Sequence, residues 1–454
     1  MLHLDLVDLL LVAGISLVTY VGWVALCLRT RWPASEVLLA AFVCNIAQIV
    51  LTQTALGLVN QLNPLNLIIV VGTTMLGLFI VIYALGNRRQ DTLTWPERRA
   101  ELSSAWREIC GCKSCVLLIG LVGAWSVWTL FLGLIFPPTS FDEFYYHMPI
   151  VASIIQSQSV LPPPSVWPWI SAYPRNAELL AVWSSIFLHR DTLADLALLP
   201  QLWAGALALF VAARRIGASR SWSILCGCLF AFAPIVLMEA KATYVDLMVA
   251  CFWSAGVAFV TPASSKSAAR SPSTYTLAIL TGLAAGLIVG TKITGLVIAG
   301  GLLCLFVVRL AQSRTSLRSG VLQVGLVVSL MCVVGSLWYV LAFKTFGNPV
   351  YPIPIRLGKL VILPGNDAFL LPLYAATARE VAHVSQGIDR WVAAWFERQP
   401  QTNMSGQWAG LGPLWPVLGL PAVLVWGGAR KRAAQCLAAR AHRGSRVVFG
   451  CAPI

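Results

Sequence analysis

Residues 114–136 read SCVLLIGLVGAWSVWTLFLGLIF, 23 consecutive positions without a charge, and Pro137-Pro138 end the run. About 20 apolar residues cross the hydrocarbon core of a bilayer as a helix, and prolines stop that helix where it leaves the membrane. Comparable runs lie near 8–28, 36–58, 66–86, 192–213, 222–238, 245–261, 274–290, 293–308, 320–343 and 411–429. They predict an all-α polytopic integral membrane protein of about 11 transmembrane helices. The composition agrees: of 454 residues, 58% are hydrophobic and only 11% charged, and the mean hydropathy is +0.77. Soluble domains carry about a quarter charged residues. A cytosolic enzyme, a disordered chain and a secreted disulfide scaffold are thereby excluded.

The formal charge of +14 would suit nucleic acid if it were gathered on one face or stripe. Here the cations sit in short clusters between apolar runs, as in loops facing the cytoplasm; the expected partners are membrane lipids, not nucleic acid. Cys27, Cys44, Cys251, Cys304 and Cys332 lie inside or beside the runs and behave as small hydrophobes. Cys110-Gly-Cys112-Lys-Ser-Cys115 is the exception among the twelve cysteines. Clustered thiols can bind metal, but no histidine or fourth cysteine completes the set nearby. Reduced thiols ahead of a span are the alternative.

Sidedness follows from Lys and Arg. No cation precedes the first span, and Asp5 and Asp8 stand where a cleavable signal would carry Lys or Arg, so the N-terminus is expected outside. Alternation then puts 22 of the 32 cations and only five of the 18 acids in six cytoplasmic segments. Two large loops, 137–191 and 344–410, face outward, and their tryptophans and tyrosines favour the membrane interface. Amphipathic juxtamembrane helices are expected in the first.

That first loop opens with Phe141-Asp142-Glu143-Phe144-Tyr145-Tyr146-His147-Met148-Pro149, followed by the amphipathic 150–156. One reading is structural: Ser140 or Asp142 caps a surface helix and Glu143 favours its first turn. The other is chemical: a carboxylate at the mouth of a membrane cavity suits a general base for a hydroxyl acceptor. Lys292 breaks an apolar stretch with no acidic neighbour in sequence, which reads as a functional charge or as a lysine snorkelling from a hairpin tip. Arg175 suits bidentate phosphate binding or a surface pair with Glu178. Glu239, Lys241 and Asp246 cluster in one short turn, either as a site or as a solvated ion cluster.

The stretch from Phe141-Asp142-Glu143 to Tyr146-His147-Met148-Pro149 resembles the first outer-loop motif of the GT-C glycosyltransferases, among them the protein O-mannosyltransferases and the lipid A aminoarabinose transferases. Four later segments match in order: Tyr173-Pro174-Arg175-Asn176-Ala177-Glu178-Leu179-Leu180; Ala242-Thr243-Tyr244-Val245-Asp246-Leu247; 286–295, a short helix pair broken at Lys292; and Trp338-Tyr339 with Gly347-Asn348-Pro349-Val350-Tyr351-Pro352. The resemblance covers about 114–430. It implies a GT-C-like helical bundle and transfer of a hexosyl or pentosyl group from a polyprenyl-phosphate donor. The acceptor hydroxyl belongs to a lipid, glycan or protein on the extracytoplasmic face, and displacement is direct and inverting. By resemblance, Asp142 is the base and Glu143 orients it or the acceptor. Lys292, Arg175 and Lys241 hold the donor phosphate, and Tyr145, Tyr146, His147, Glu178 and Asp246 contact sugar or acceptor. No cofactor is required. Some relatives bind a divalent cation; Glu143 and His147 on one helical face would hold it here, a hydrogen-bonding histidine being the alternative.

The domain organisation expected is an N-terminal three-span extension over 1–113 and a catalytic core over 114–343. The acceptor-side loop 344–410 follows, with Asp367, Glu380, Asp389, Trp391, Trp395 and Glu397. The last span and a basic cytoplasmic tail occupy 411–454. A bacterial inner membrane is the expected location, with the active site facing the periplasm or exterior. The extension and the early end of the family pattern depart from relatives. The early end makes a catalytically inactive lipid-binding homologue one alternative. A transporter is the other, though paired repeats are not evident.

Overall fold

The computed structural model describes residues 6–85, 93–161, 168–263, 272–313 and 315–366. Parts of the cation-rich segments (Arg88, Arg89, Lys266, Arg270, Arg314) and everything from Asp367 onward, including the expected span 411–429, lie outside the described residues. Within them the chain is an all-α polytopic membrane protein whose β structure is one antiparallel hairpin, β1 (355–357) with β2 (360–363). Seven helices are long and apolar enough to cross a membrane.

The first three are α1 (Leu6–Cys27), α2 (Ala34–Leu58) and α3 (Pro64–Leu85). A surface helix, α4 (Trp95–Gly111), then leads into α5 (Lys113–Ile135). In the first outer loop, one wide π-turn (Glu143–His147) runs into the amphipathic α6 (Met148–Ser157), which buries Ile150, Val151 and Ile154. After the short α7 (Pro168–Ala172) comes α8 (Glu178–Leu188), every residue of which is buried. The core continues with α9 (Leu199–Arg215), α10 (Arg220–Ala231), α11 (Pro234–Glu239), α12 (Asp246–Val260), α13 (Thr274–Val289), α14 (Gly295–Gln312), α15 (Leu317–Gly335) and α16 (Leu337–Phe346).

Two expected spans are broken. The run 222–238 is α10 and α11, because Pro234 lacks the N–H that would continue α10 and instead starts a new helix. The run 320–343 divides at Ser336 into α15 and α16. Loop 137–191 was expected to lie against the bilayer, yet its α8 is packed inside, against α1, α2 and α6. The N-terminal extension is likewise integral: α2 packs on α8, α9 and α13.

Small residues permit the closest helix contact, between α13 and α15. A Cβ on Gly335 would stand 2.6 Å from the Gly286 carbonyl oxygen. Membrane helices lack a hydrophobic drive toward one another, so such close backbone approach supplies packing energy.

Segments expected on the cytoplasmic side meet at one end of the bundle. Arg215 is bidentate on Glu36 at 3.1 and 2.7 Å, and its other Nη donates to the carbonyls of Phe259 and Thr261. Arg309 donates to the carbonyls of Phe259, Val260 and Thr261, so two cations satisfy the C-terminus of α12. Arg98 reaches the carbonyls of Trp32 and Thr30, and Arg220 pairs with Glu108 at 2.7 Å. From this end α12 runs about 22 Å to Asp246, among the outer-loop segments.

Glu36→Gln leaves the buried Arg215 without its counter-charge. Removing one partner of a buried pair costs about 3–5 kcal/mol, so the melting temperature in detergent is expected to drop clearly. The double variant with Arg215→Met should recover much of the loss. An unchanged single variant would show that the pair holds nothing.

Candidate active site

The π-turn sorts the two adjacent acids. Glu143 points inward and is buried, whereas Asp142 is half-buried. The Glu143 carboxylate accepts from the backbone N–H groups of Thr139 (2.8 Å), Ser140 (2.5 Å) and Thr243 (3.0 Å). It therefore ties the start of the first outer loop to the turn before α12. Glu143 was expected to orient the acceptor or Asp142; here its oxygens accept from backbone and fix the turn that carries Asp142.

One turn on, His147 is also buried, and its Nδ1 lies 2.8 Å from Glu178 Oε1. Glu143 is held by backbone and His147 Nδ1 by Glu178, while His147 Nε2 and Glu178 Oε2 have no hydrogen-bond partner. Among the described residues no group of three potential metal ligands converges. Glu178 and His147 were expected on sugar or acceptor; they form a buried dyad instead. Tyr146 packs over His147 and edge-on to Tyr173. Burial first, then the Asp142, Glu178, Tyr173 and Asp246 charges, raise the Tyr146 phenol above its ordinary range. Asp142 and Asp246 thus act on one phenol from the two outer segments. Burial and Asp142 push Tyr173 up to about 12. Tyr145 stacks on Phe141, and both are exposed at the rim.

Lys292 stands in the turn between α13 and α14 and is bidentate on Asp246, at 2.7 and 2.9 Å. Both side chains are about half exposed. The sequence offered Lys292 no acidic neighbour; the fold supplies one 46 positions away. Arg175 is no surface residue: it is buried, with Nη2 donating to the Ser171 carbonyl at 2.9 Å and the guanidinium 5.8 Å from the Trp338 ring centroid. Its Nε and Nη1 have no hydrogen-bond partner. Burial lowers Arg175 to about 10, opposed by Glu178. Lys241 is exposed and lines a cavity of about 400 Å³ with Glu143, Asp195, Glu239 and Tyr244. Asp142 does not line that cavity.

Asn176, fully buried, joins the loop to the later motifs. Its N–H donates to Gly290 O (2.8 Å), its Nδ2 to Val334 O (3.2 Å), and its Oδ1 accepts from Trp338 Nε1 (2.8 Å). A Cβ on Gly290 would lie 2.0 Å from the Asn176 amide, which is why the break at Lys292 begins with glycine. Tyr339 donates to Val289 O at 2.8 Å.

Residues 193–351 match the family model of dolichyl-phosphate-mannose-protein mannosyltransferase. No curated protein and no solved structure matches the chain. The mannosyltransferase match contains three of the five segments, those with Asp246, Lys292 and Trp338-Tyr339, and supports the GT-C resemblance and a polyprenyl-phosphate-dependent membrane glycosyltransferase. The two segments with Asp142 and Arg175 precede the matched region and reach it through Glu143–Thr243, Asn176–Gly290 and Trp338–Asn176.

Sequence reasoning passed over Asp195, although an acid inside the apolar run 192–213 signals a buried polar contact; it stands on the cavity wall beside Glu143 and interacts with it electrostatically. Glu239 accepts from the Leu247 N–H at 2.6 Å, at the start of α12.

Burial and Asp246 push Glu239 from 4.5 up to about 8. Between those values the folded chain binds more protons than the unfolded one, so its stability is greatest at acid pH and is lost as pH rises through about 8. Glu239→Gln keeps an acceptor for Leu247 without the titration. A flatter profile of melting temperature from pH 5 to 9 is expected for it; an unaltered slope would exclude Glu239 as the cause.

Proposed function

We propose that the chain transfers a sugar from a polyprenyl-phosphate carrier to a hydroxyl of a lipid, glycan or protein acceptor. The reaction occurs at the end of the bundle that carries the outer loops, by direct inverting displacement with Asp142 as general base. The observation that carries this reading is the half-exposed group of Asp142, Asp246 and Lys292 around Tyr146, in a chain whose core matches a mannosyltransferase family.

The chemistry needs little more. Glycosidases use two carboxylates because a poor leaving group must be protonated; a polyprenyl phosphate leaves as an anion, so one base and a cation suffice. Of the two adjacent acids Asp142 is the one that is not buried, and its neighbour Glu143 holds it in place through three backbone contacts. Lys292 is the donor-phosphate contact. An ammonium has three N–H donors, so after binding both oxygens of Asp246 one remains for a phosphate oxygen. Arg175 is the second cation of this reading, buried and with Nε and Nη1 unspent. Lys241, exposed at the cavity mouth, draws the anionic donor inward. Tyr145 and Tyr146 flank the sugar with ring faces and a hydroxyl, and His147–Glu178 holds Tyr146 from behind.

The first donor to test is polyprenyl-phosphate mannose, labelled in the sugar, with purified protein in nanodiscs. A general base contributes about a hundredfold to ten-thousandfold in rate, so Asp142→Asn should lose turnover by that factor with its melting temperature unchanged. Glu143→Gln turns an amide NH₂ toward backbone donors and should lose melting temperature first. Full turnover by Asp142→Asn would sink the assignment.

The face is tested separately, by placing Phe144→Cys on the exposed rim of the π-turn. A membrane-impermeant maleimide is expected to label it in intact cells. Labelling only after permeabilisation would put the site on the cytoplasmic side.

A further inference from the structure

The junction of α4 and α5 carries a feature that sugar transfer does not use. Cys112 is at once the C-terminal cap of α4 and the N-terminal cap of α5, and Cys115 lies in the first turn of α5. Their Sγ atoms are 2.6 Å apart. Cys115 is buried, Cys112 half-buried and Cys110 exposed on the last turn of α4. We propose that Cys112 and Cys115 are a reversible dithiol–disulfide site that exchanges with small-molecule disulfides.

Three observations support a reactive pair over inert thiols ahead of a span. The two sulfurs face each other at the N-terminus of a 23-residue helix, where backbone N–H groups favour an anion. Ser114 Oγ lies 3.4 Å from the Cys112 sulfur. The contacts from the Cys115 thiol, Ser114, the Cys115 N–H and Ser221 lower Cys112 to about 6, so at neutral pH it is mainly thiolate, the nucleophilic form. Among the described residues neither a histidine nor an acid joins the sulfurs to make a metal site.

The exchange balances as follows. The Cys112 thiolate attacks one sulfur of a disulfide such as oxidised glutathione, forming a mixed disulfide and expelling one glutathione thiolate. Cys115 then loses its proton, attacks the Cys112 sulfur and expels the second thiolate. The pair gives up two electrons and two protons, and the small disulfide takes up the electrons. Reduced glutathione reverses both steps. Charge counting puts this junction on the cytoplasmic side, where such bonds are transient and redox-sensing rather than permanent. The bond would lock the joint by which α4 reaches α10, through Glu108 and Arg220.

The test uses the full chain in nanodiscs, equilibrated with defined ratios of reduced and oxidised glutathione, alkylated and mapped by peptide mass spectrometry. The expected result is a 112–115 peptide that loses two hydrogens under oxidation and regains them on reduction, with Cys110 alkylated throughout. Before oxidation, Cys112 should react with iodoacetamide at pH 7 about tenfold faster than Cys110. Cys115→Ser should halt at a mixed disulfide on Cys112, and Cys110→Ser should change nothing. A pair that stays fully alkylated under oxidised glutathione alone, a bond from Cys110 instead, or equal alkylation of Cys110 and Cys112 overturns the proposal.

Discussion

Glu143 joins two outer segments 100 residues apart by accepting three backbone N–H groups, two from the exit of α5 and one from the turn before α12. Hydrogen bonds to a charged group contribute about 1.5–3 kcal/mol each, and they strengthen where water is excluded. Everything else at this end is placed relative to that knot. The π-turn it anchors sets Asp142 toward the open side and His147 toward Glu178. The turn it anchors delivers Asp246 to Lys292.

Polar side chains then carry the arrangement into the bundle. Asn176 bonds the backbone of α13's end through its own N–H, and the backbone of α15 and the indole of α16 through its side-chain amide. In a helical membrane protein the backbone satisfies itself within each helix, so places where helices end are where side chains must intervene. Both ends of α12 follow this rule. Arginines cover the carbonyls at its close, and the carboxyl group of Glu239 takes an N–H at its start.

The architecture was largely readable from sequence because bilayer thickness fixes span length and the charge bias fixes order. The reading failed where tertiary context overrides length. The helix 178–188 is too short to count as a span, yet it is buried throughout because α1, α2 and α6 surround it. The run 222–238 looked continuous because hydropathy does not register the missing N–H of Pro234. At the site, Asp142 and Glu143 are chemically similar neighbours in sequence, and only the distant Thr243 decides which is spent. The Lys292–Asp246 pair was hidden by its separation of 46 residues, and Asp195 by the apolar run around it.

Charge accounting shows why one carboxylate of each outer segment stays open. Glu143 is taken up by N–H donors and Glu178 by His147. Asp142, Glu178 and Asp246 all raise the Tyr146 phenol, and Lys292 offsets Asp246. On the proposed reading a phosphate anion entering this group would face two carboxylates and a single exposed ammonium already engaged. Its binding then depends on the buried Arg175, whose unspent N–H groups lie in low dielectric, where attraction is strongest. On that reading Lys292, shared between Asp246 and phosphate, offsets the negative field that would otherwise repel the donor.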